Sequence, residues 1–279
     1  MNVQTFGDSK KPVALLVHSI FYPGVTSYRT ILPLLIKDYY VVIPNLEGLD
    51  YPHSDFVSAR CQSDKIIDWL KEHNIDRIAF LLGSSYGTSV AFEILKDINL
   101  KIDKAALDAP AMKCSRIQGL KLYMEMKKTS NGLKRHPKEF FSKAKKYRYL
   151  NNKEDEQHCI DVYSGIDNDC LKKIAFSCYD YTLPSRLYRD DTSIVFLFGE
   201  KDKAKINLPE IKSLGAGKIK IIDGMSHMQY MFEAPHQFLI ECGLEISWFY
   251  HLNIYEVFIK LVNFNFKILG LSTQYKIFI

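Results

Sequence analysis

Short apolar runs alternate with amphipathic segments along most of this chain. Six runs have strand length and no helical spacing: residues 13–19, 39–44, 77–83, 104–108, 193–198 and 218–222. Helical spacing is found at residues 27–37, where Pro33 should kink or delay the helix, and at residues 64–73, 86–95 and 233–242. Continuous apolar strands separated by helices are typical of a parallel sheet covered on both faces. The pattern therefore predicts an α/β protein with a mostly parallel sheet and helices on both of its faces.

The alternation stops between residues 111 and 191, where the chain is helical in character and rich in Lys and Tyr. Asn131-Gly132 and His136-Pro137 are predicted breaks in this pattern. We therefore expect a core of residues 1–110 and 192–243 with a helical insertion of residues 111–191. An insertion after a sheet strand lies over the strand's carboxyl end, where open α/β sheets bind ligands. The insertion is thus a candidate lid.

Aromatic side chains of this insertion are open to two interpretations. They either line an apolar pocket or pack in the core, and packing is the more ordinary role for each of them: Tyr123, Phe140, Phe141, Tyr147, Tyr179 and Tyr181.

The sequence Gly83-Ser84-Ser85-Tyr86-Gly87 lies between a predicted strand and a predicted helix. It has the form G-x-S-x-G, in which glycines on either side of a serine allow a strand to reverse sharply into a helix. Such a turn holds the serine hydroxyl at the end of the strand and beside the amino end of the helix. Free N–H groups there stabilise a developing anion. Ser85 is therefore the candidate nucleophile.

Two further polar side chains follow predicted strands. Asp202 comes after residues 193–198, and His227 lies in the loop after residues 218–222. A serine hydroxyl needs a base within hydrogen-bond distance, and that base needs a carboxylate on its other nitrogen. Ser85, Asp202 and His227 occur in the chain order expected for this type of sheet. Asp108, after residues 104–107, is the alternative acid.

Attack on a carbonyl also requires N–H donors for the oxygen that becomes negatively charged. The N–H of Tyr86, directly after the candidate nucleophile, is one such donor. We expect the second donor in the loop after the strand at residues 13–19, and we assign it to the N–H of Ile20.

The net charge of +5 is modest but unevenly distributed. Residues 113–189 contain 17 Lys and Arg against 9 Asp and Glu, which indicates either a preference for anionic substrates or an ordinary solvated helical face.

Six cysteines without a C-x-x-C pair, and a start without an apolar signal-type run, predict free thiols and a cytoplasmic location. His and Cys show no metal-ligand spacing. We expect no metal, no other cofactor and no nucleic-acid partner.

Taken together, the segments LLVHS, VVIPNLEG, GSSYG, FGEKD and GMSHM, in this order, resemble those of lid-bearing α/β-hydrolase fold proteins. The resemblance implies a nucleophile at Ser85, an acid at Asp202, a base at His227 and oxyanion N–H groups at Ile20 and Tyr86. It further implies a serine hydrolase but does not fix the substrate, for which we expect a small or medium-sized carboxylic ester. Thioester or peptide hydrolysis by the same groups is an alternative, as is a catalytically silent scaffold that binds a ligand or partner.

Residues 244–279 differ from the rest of the chain. By composition, 22 of these 36 residues are apolar or aromatic. Because no 18-residue stretch is free of polar interruption, a membrane span is not expected. Three interpretations stay open: an extra packed element, an apolar surface for a protein or membrane, and a poorly ordered extension.

Overall fold

The computed structural model describes residues 1–110, 116–150, 152–179, 181–183, 187 and 189–245. Its described strands form one seven-stranded sheet in the order β1-β3-β2-β4-β5-β6-β7. Their bounds are β1 Val3–Phe6, β2 Val13–Val17, β3 Tyr40–Pro44, β4 Arg77–Ser84, β5 Lys101–Asp108, β6 Ser193–Gly199 and β7 Lys218–Ile222. Only the β1–β3 pair of this sheet is antiparallel. The predicted fold class, a mostly parallel sheet in an α/β protein, is confirmed.

The central strands of the sheet are buried. Four of the five residues of β2 and all but one of the residues of β6 are buried, as expected for strands that are covered on both faces. The sequence pattern missed β1 and placed the start of β5 three residues late. Both segments contain polar residues that interrupt the apolar run. The carboxyl ends of β4, β5 and β6 lie side by side, because Ser84 is paired with Asp108 and Asp108 with Leu197.

The described α-helices pack around this sheet and above one of its edges. Their bounds are α1 Leu32–Leu35, α2 Ala59–Glu72, α3 Gly87–Leu95, α4 Arg116–Arg135, α5 Pro137–Lys143, α6 Lys153–Gly165, α7 Asn168–Tyr179, α8 Leu208–Ser213, α9 Gln229–Glu233 and α10 Pro235–Glu241.

Several predicted helix bounds were wrong. The helix predicted at residues 27–37 is reduced to α1, which has Pro33 in its first turn, and a short 3-10 helix at Gly24–Ser27. Proline fits the first turn of a helix, because a backbone N–H at that position has no acceptor within the helix and its absence removes no hydrogen bond. The helix α2 begins five residues earlier than predicted, at the Ser58 cap, whose side chain accepts from the N–H of Cys61. The segment predicted at residues 233–242 contains α10, and α9 precedes it.

Between β5 and β6, the described residues form α4 to α7 and a 3-10 helix at Lys145–Tyr147. The predicted break at His136-Pro137 is present, since α4 ends at Arg135 and α5 begins at Pro137. The predicted break at Asn131-Gly132 was wrong, because α4 continues through both residues. Gly132 leaves room there for the ring of Phe140, which a Cβ at this position would overlap. The role of this segment as a lid stays a prediction.

Among the described residues, no helix is long and apolar enough to cross a membrane. The predictions made for residues 244–279 lie outside the described residues from position 246 onward.

Candidate active site

The turn from β4 into α3 presents Ser85 above the sheet. Ser85 has φ = 52°, in the left-handed region that a residue with a side chain rarely adopts. The turn is tight on both sides. A Cβ on Gly83 would lie 2.8 Å from the carbonyl oxygen of Gly87, and a Cβ on Gly87 would overlap the carbonyl oxygen of Val17. Both glycines of the motif are therefore needed for the close approach of the backbone.

The structure brings three of the predicted residues together. His227 Nε2 lies 2.9 Å from Ser85 Oγ, and His227 Nδ1 lies 3.0 Å from both carboxylate oxygens of Asp202. The Asp202 side chain is 1% exposed, and one of its oxygens also accepts from the N–H of Ala204 at 2.8 Å. This carboxylate is thus fixed in place and holds the imidazole with Nδ1 as donor and Nε2 directed at the serine hydroxyl.

Two loops hold the acid and the imidazole against each other. The amide of Lys201, after β6, donates to the carbonyl of Met225, after β7, at 2.8 Å. A Cβ on Gly199 would overlap that same carbonyl, so only glycine permits this approach. Met228, next to the imidazole, has φ = 56° and turns the chain from the loop into α9. Because these contacts are between backbone atoms, they fix the distance between Asp202 and His227 without help from a ligand.

The electrostatics of His227 favour its charged form. Desolvation by the surrounding protein lowers the pKa of the imidazole, but the hydrogen bond with Asp202 and the charges of Asp202 and Asp108 outweigh it, so the pKa is raised above 6.5. The side chain still keeps 43% of its surface exposed, because its edge faces a cavity. This environment stabilises the imidazolium form of His227.

Asp108, the alternative acid, has a different position. It is 5% exposed, and among the described residues its Oδ2 has no hydrogen-bond partner. Burial raises the pKa of this carboxyl to about 7, with a lowering effect from His227 and a raising effect from Asp202. Its main-chain carbonyl accepts from the N–H of Ser85 at 2.8 Å. Nδ1 of His227 is hydrogen-bonded to Asp202 instead, so Asp108 supports the turn and contributes charge.

The loop after β2 lies beside the serine. His18 at its start is fully buried, and burial lowers its pKa to about 4, so the ring is neutral at pH 7. Its Nε2 accepts from the N–H of Leu46 at 3.0 Å, which leaves Nδ1 to donate to the carbonyl of Ser19 at 2.8 Å. That bond orients the peptide between Ser19 and Ile20. Among the described residues, the N–H groups of Ile20 and Tyr86 donate to no protein acceptor.

The insertion also contributes to this loop. Tyr163 of α6 donates its hydroxyl hydrogen to the carbonyl of Ile20 at 2.8 Å. Ser27 accepts from the N–H of Ser19 at 3.1 Å. The segment assigned to the second oxyanion donor is thus held from both sides, by the core and by the insertion.

A cavity of about 560 Å³ opens next to these groups. Its wall includes Ser85, Asp202 and His227, together with Leu122 of α4 and Cys178 of α7. This volume is in the range of small-molecule sites. A smaller cavity of about 320 Å³, near Asn74 and Asn99, lies before the amino ends of β4 and β5 at the opposite edge of the sheet.

Among the described residues, no group of three or more His, Cys, Asp or Glu side chains is placed to bind a metal.

Comparisons with known proteins bear on the fold. No family model and no curated protein matches the sequence. Solved structures do match. An α/β hydrolase family protein from Desulfitobacterium hafniense has 20% identity and a TM-score of 0.67, over 88% of this chain and 100% of the other. The chain has the α/β-hydrolase fold. An esterase from a marine microorganism has 17% identity and a TM-score of 0.66, over 88% and 98% of the two chains.

A third solved structure, a 2-hydroxy-6-oxo-6-phenylhexa-2,4-dienoate hydrolase from Rhodococcus sp. strain RHA1, has 16% identity and a TM-score of 0.65, over 86% and 93% of the chains. At these identities the comparisons establish the fold. The resemblance of the sequence to α/β-hydrolase fold proteins is thereby confirmed as far as the fold is concerned.

Within this α/β-hydrolase fold, the cavity wall formed by the described residues contains four Phe and Tyr rings: Phe21, Tyr22, Tyr149 and Phe232. None of these rings was among the six aromatic residues considered from the sequence. Tyr147 is 3% exposed and packs against Tyr22 and Phe141, so it belongs to the core of the insertion. The Tyr179 side chain lies outside the described residues. Sequence spacing alone does not distinguish a ring on a cavity wall from one in the adjacent core.

Proposed function

We propose that this protein is a serine hydrolase that cleaves a carboxylic ester through an acyl-enzyme on Ser85. The observation that carries the proposal is the continuous hydrogen-bond chain from Ser85 Oγ through His227 to Asp202 on the wall of a cavity of about 560 Å³. A buried carboxylate, an oriented imidazole and a strained serine in this order form the arrangement that activates a hydroxyl for acyl transfer. The solved esterase with the same fold is consistent with this activity.

The first half-reaction forms the acyl-enzyme. His227 Nε2 takes the proton of Ser85 as Oγ attacks the ester carbonyl, and Asp202 stabilises the imidazolium. Negative charge develops on the carbonyl oxygen beside the N–H groups of Ile20 and Tyr86. One such donor lowers the barrier by roughly 3 to 4 kcal/mol. The tetrahedral intermediate then collapses, the carbon–oxygen bond to the alcohol breaks, and the imidazolium returns its proton to the departing alcohol.

The second half-reaction releases the acid. A water molecule enters the place of the alcohol, gives a proton to His227 Nε2 and attacks the acyl carbon. Collapse of the second intermediate breaks the bond to Oγ, and Ser85 recovers its proton. Carboxylic esters are less demanding substrates for these groups than amides, because an alcohol is a better leaving group than an amine.

A panel of 4-nitrophenyl esters of increasing acyl length tests the proposal. We expect turnover by the full chain and a loss of at least about 10³-fold in kcat for Ser85→Ala. Ser84→Ala, one residue away and fully buried, is the matched control and should retain most of the activity. If the full chain hydrolyses no ester of the panel and Ser85 is not acylated, the alternative of a silent scaffold replaces this proposal.

A further inference from the structure

The charges on the wall of the active-site cavity are strongly unbalanced. Five cationic side chains line it: Lys145, Lys146, Arg148, Lys201 and Lys203. Two carboxylates, Glu125 and Asp202, lie on the same wall. The cations come from two separate parts of the chain. Three lie between α5 and α6 in the insertion, and two flank the candidate acid in the core.

The two carboxylates neutralise only part of this charge. Asp202 is occupied by the imidazole of His227. Glu125 is paired with Lys146 at 3.1 Å. Arg148 is paired at 3.1 Å with Glu233, which lies outside the wall.

This leaves Lys145, Lys201 and Lys203 as the cavity cations without a carboxylate partner among the described residues. All three are exposed, so each retains its hydration and conformational freedom until a ligand binds. Cationic groups that converge on a cleft raise the local concentration of anions and favour anionic ligands.

The same wall also contains a more deeply placed ammonium group. Lys146 is 25% exposed and donates to Thr129 at 2.8 Å. Its Nζ lies 3.7 Å from the ring centroid of Phe21, next to the assigned oxyanion residue Ile20. Burial lowers the pKa of this amine. Its contacts with Glu125, Thr129 and Phe21 fix it as part of the wall.

From this arrangement we propose that the substrate is an anionic ester, which carries a carboxylate or phosphate in addition to the scissile ester bond. The inference rests on the proposed ester hydrolysis and names its substrate class. The anionic group of the substrate is bound by Lys145, Lys201 and Lys203. The apolar part lies against the rings of Phe21 and Phe232, and the scissile carbonyl is beside Ser85.

Matched pairs of neutral and anionic esters test this inference. Monomethyl adipate and its neutral amide analogue, methyl adipamate, place the charge on the acyl side. The pair 4-acetoxybenzoate and 4-acetoxybenzamide places it on the leaving group. We expect kcat/KM for the anionic member to exceed that of the neutral member by at least tenfold in one of the pairs. That ratio should fall as sodium chloride is raised from about 20 mM to about 500 mM, because salt screens charge interactions.

Charge-removing variants identify the side chains responsible. Lys145→Gln and Lys203→Gln should each reduce the anionic-to-neutral ratio severalfold, and the double variant, which keeps only Lys201 of the three, should reduce it further. Lys212→Gln, an exposed lysine of α8 outside the cavity wall, should leave the ratio unchanged. A general loss of folding lowers both members of a pair equally and does not change the ratio.

The outcomes separate this inference from the function on which it rests. Turnover of both members of each pair with equal kcat/KM, or a ratio unaffected by salt and by both variants, overturns the anionic-substrate inference and leaves ester hydrolysis standing. If none of these esters nor any 4-nitrophenyl ester is cleaved, the proposed function fails, and the inference fails with it.

Discussion

At the scale of single residues, the candidate site depends on how Asp202 and Asp108 act on one imidazole. Asp202 contacts His227 directly through both oxygens. Asp108 acts through its charge, from a buried position in which its Oδ2 has no partner among the described residues. The effect of Asp202 on catalysis and the effect of Asp108 on stability can therefore be measured separately.

The pH dependence of ester hydrolysis reports the first effect. His227 must be neutral to accept the proton of Ser85, and its pKa is raised above 6.5. We therefore expect kcat/KM to fall as the pH decreases through a midpoint above 6.5. Asp202→Asn should reduce kcat by about 10³- to 10⁴-fold and move that midpoint to lower pH, because it removes the carboxylate that favours the imidazolium. A midpoint unchanged in this variant would contradict the assignment of Asp202.

Asp108→Asn reports the second effect through the free energy of unfolding. The pKa of the folded carboxyl is about 7, against an ordinary value of 3.8. Between these values the folded chain keeps a proton that the unfolded chain has lost, so the wild-type protein becomes less stable as the pH rises from about 4 to about 7. The variant lacks this group. It should be more stable than wild type above pH 7, by an amount on the order of 4 kcal/mol at most.

Denaturant unfolding at pH 5 and pH 8 measures this difference. Asp103→Asn is the matched control, since Asp103 lies on the same strand with its side chain 37% exposed. It should show no comparable gain at pH 8. Equal pH dependence in wild type and in Asp108→Asn would show that Asp108 ionises as an ordinary aspartate does.

At the scale of elements, the turn between β4 and α3 fixes the geometry of the site. Gly87 allows the backbone of the turn to approach β2, the strand that leads into the Ile20 loop, and Gly83 allows the end of β4 to approach the start of α3. The serine and the assigned oxyanion donors are therefore positioned by one contact between two elements.

Gly87→Ala tests this contact. The added methyl group would overlap the carbonyl oxygen of Val17, and a backbone atom cannot move aside as a flexible side chain does. We expect a loss of about 1 to 3 kcal/mol in the free energy of unfolding, with ester hydrolysis reduced at least about 100-fold. Gly119→Ala is the control, because its nearest neighbour is the Phe176 ring at 3.0 Å and alanine favours helix. Activity of Gly87→Ala close to that of wild type would show that the turn is not needed in this form.

The sequence predicted these elements to different extents, for physical reasons. The buried strands and the turn at Ser85 were predicted because continuous apolar runs and paired glycines are local signals. The strand β1 was missed, because Val3–Phe6 is a short, half-polar segment at the edge of the sheet. The contact of Tyr163 with Ile20 spans 143 residues and has no local signal. A buried tyrosine hydroxyl becomes informative only when its acceptor is known.

At the scale of the whole molecule, an ion pair joins the insertion to the core. Arg29 donates to Asp155 of α6 through Nε at 3.0 Å and through Nη2 at 2.6 Å. The Asp155 side chain is 2% exposed, and it also accepts from Asn152 at 3.0 Å. Charge-assisted bonds of this two-point geometry are among the stronger polar contacts. The pair therefore helps to hold α6, and with it Tyr163, in place over the site.

Asp155→Ala should lower the free energy of unfolding by about 2 to 3 kcal/mol, because it leaves a partly buried guanidinium without its partner. A thermal unfolding midpoint measures this as a decrease of roughly 5 to 10 °C. Asp169→Ala removes an exposed pair with Lys173 on α7 and should change the midpoint by less than about 2 °C. Similar midpoints for the two variants would show that the insertion is held by other contacts.

The central claim is that Ser85 is a nucleophile activated by His227, and covalent labelling tests it most directly. Intact-protein mass spectrometry of the full chain, treated with an alkyl fluorophosphonate, should show one added phosphonyl group, and peptide mapping should place it on Ser85. Labelling should be absent in Ser85→Ala and slowed at least about 100-fold in His227→Gln. An unlabelled wild-type chain, or a label that persists in Ser85→Ala, would contradict the account.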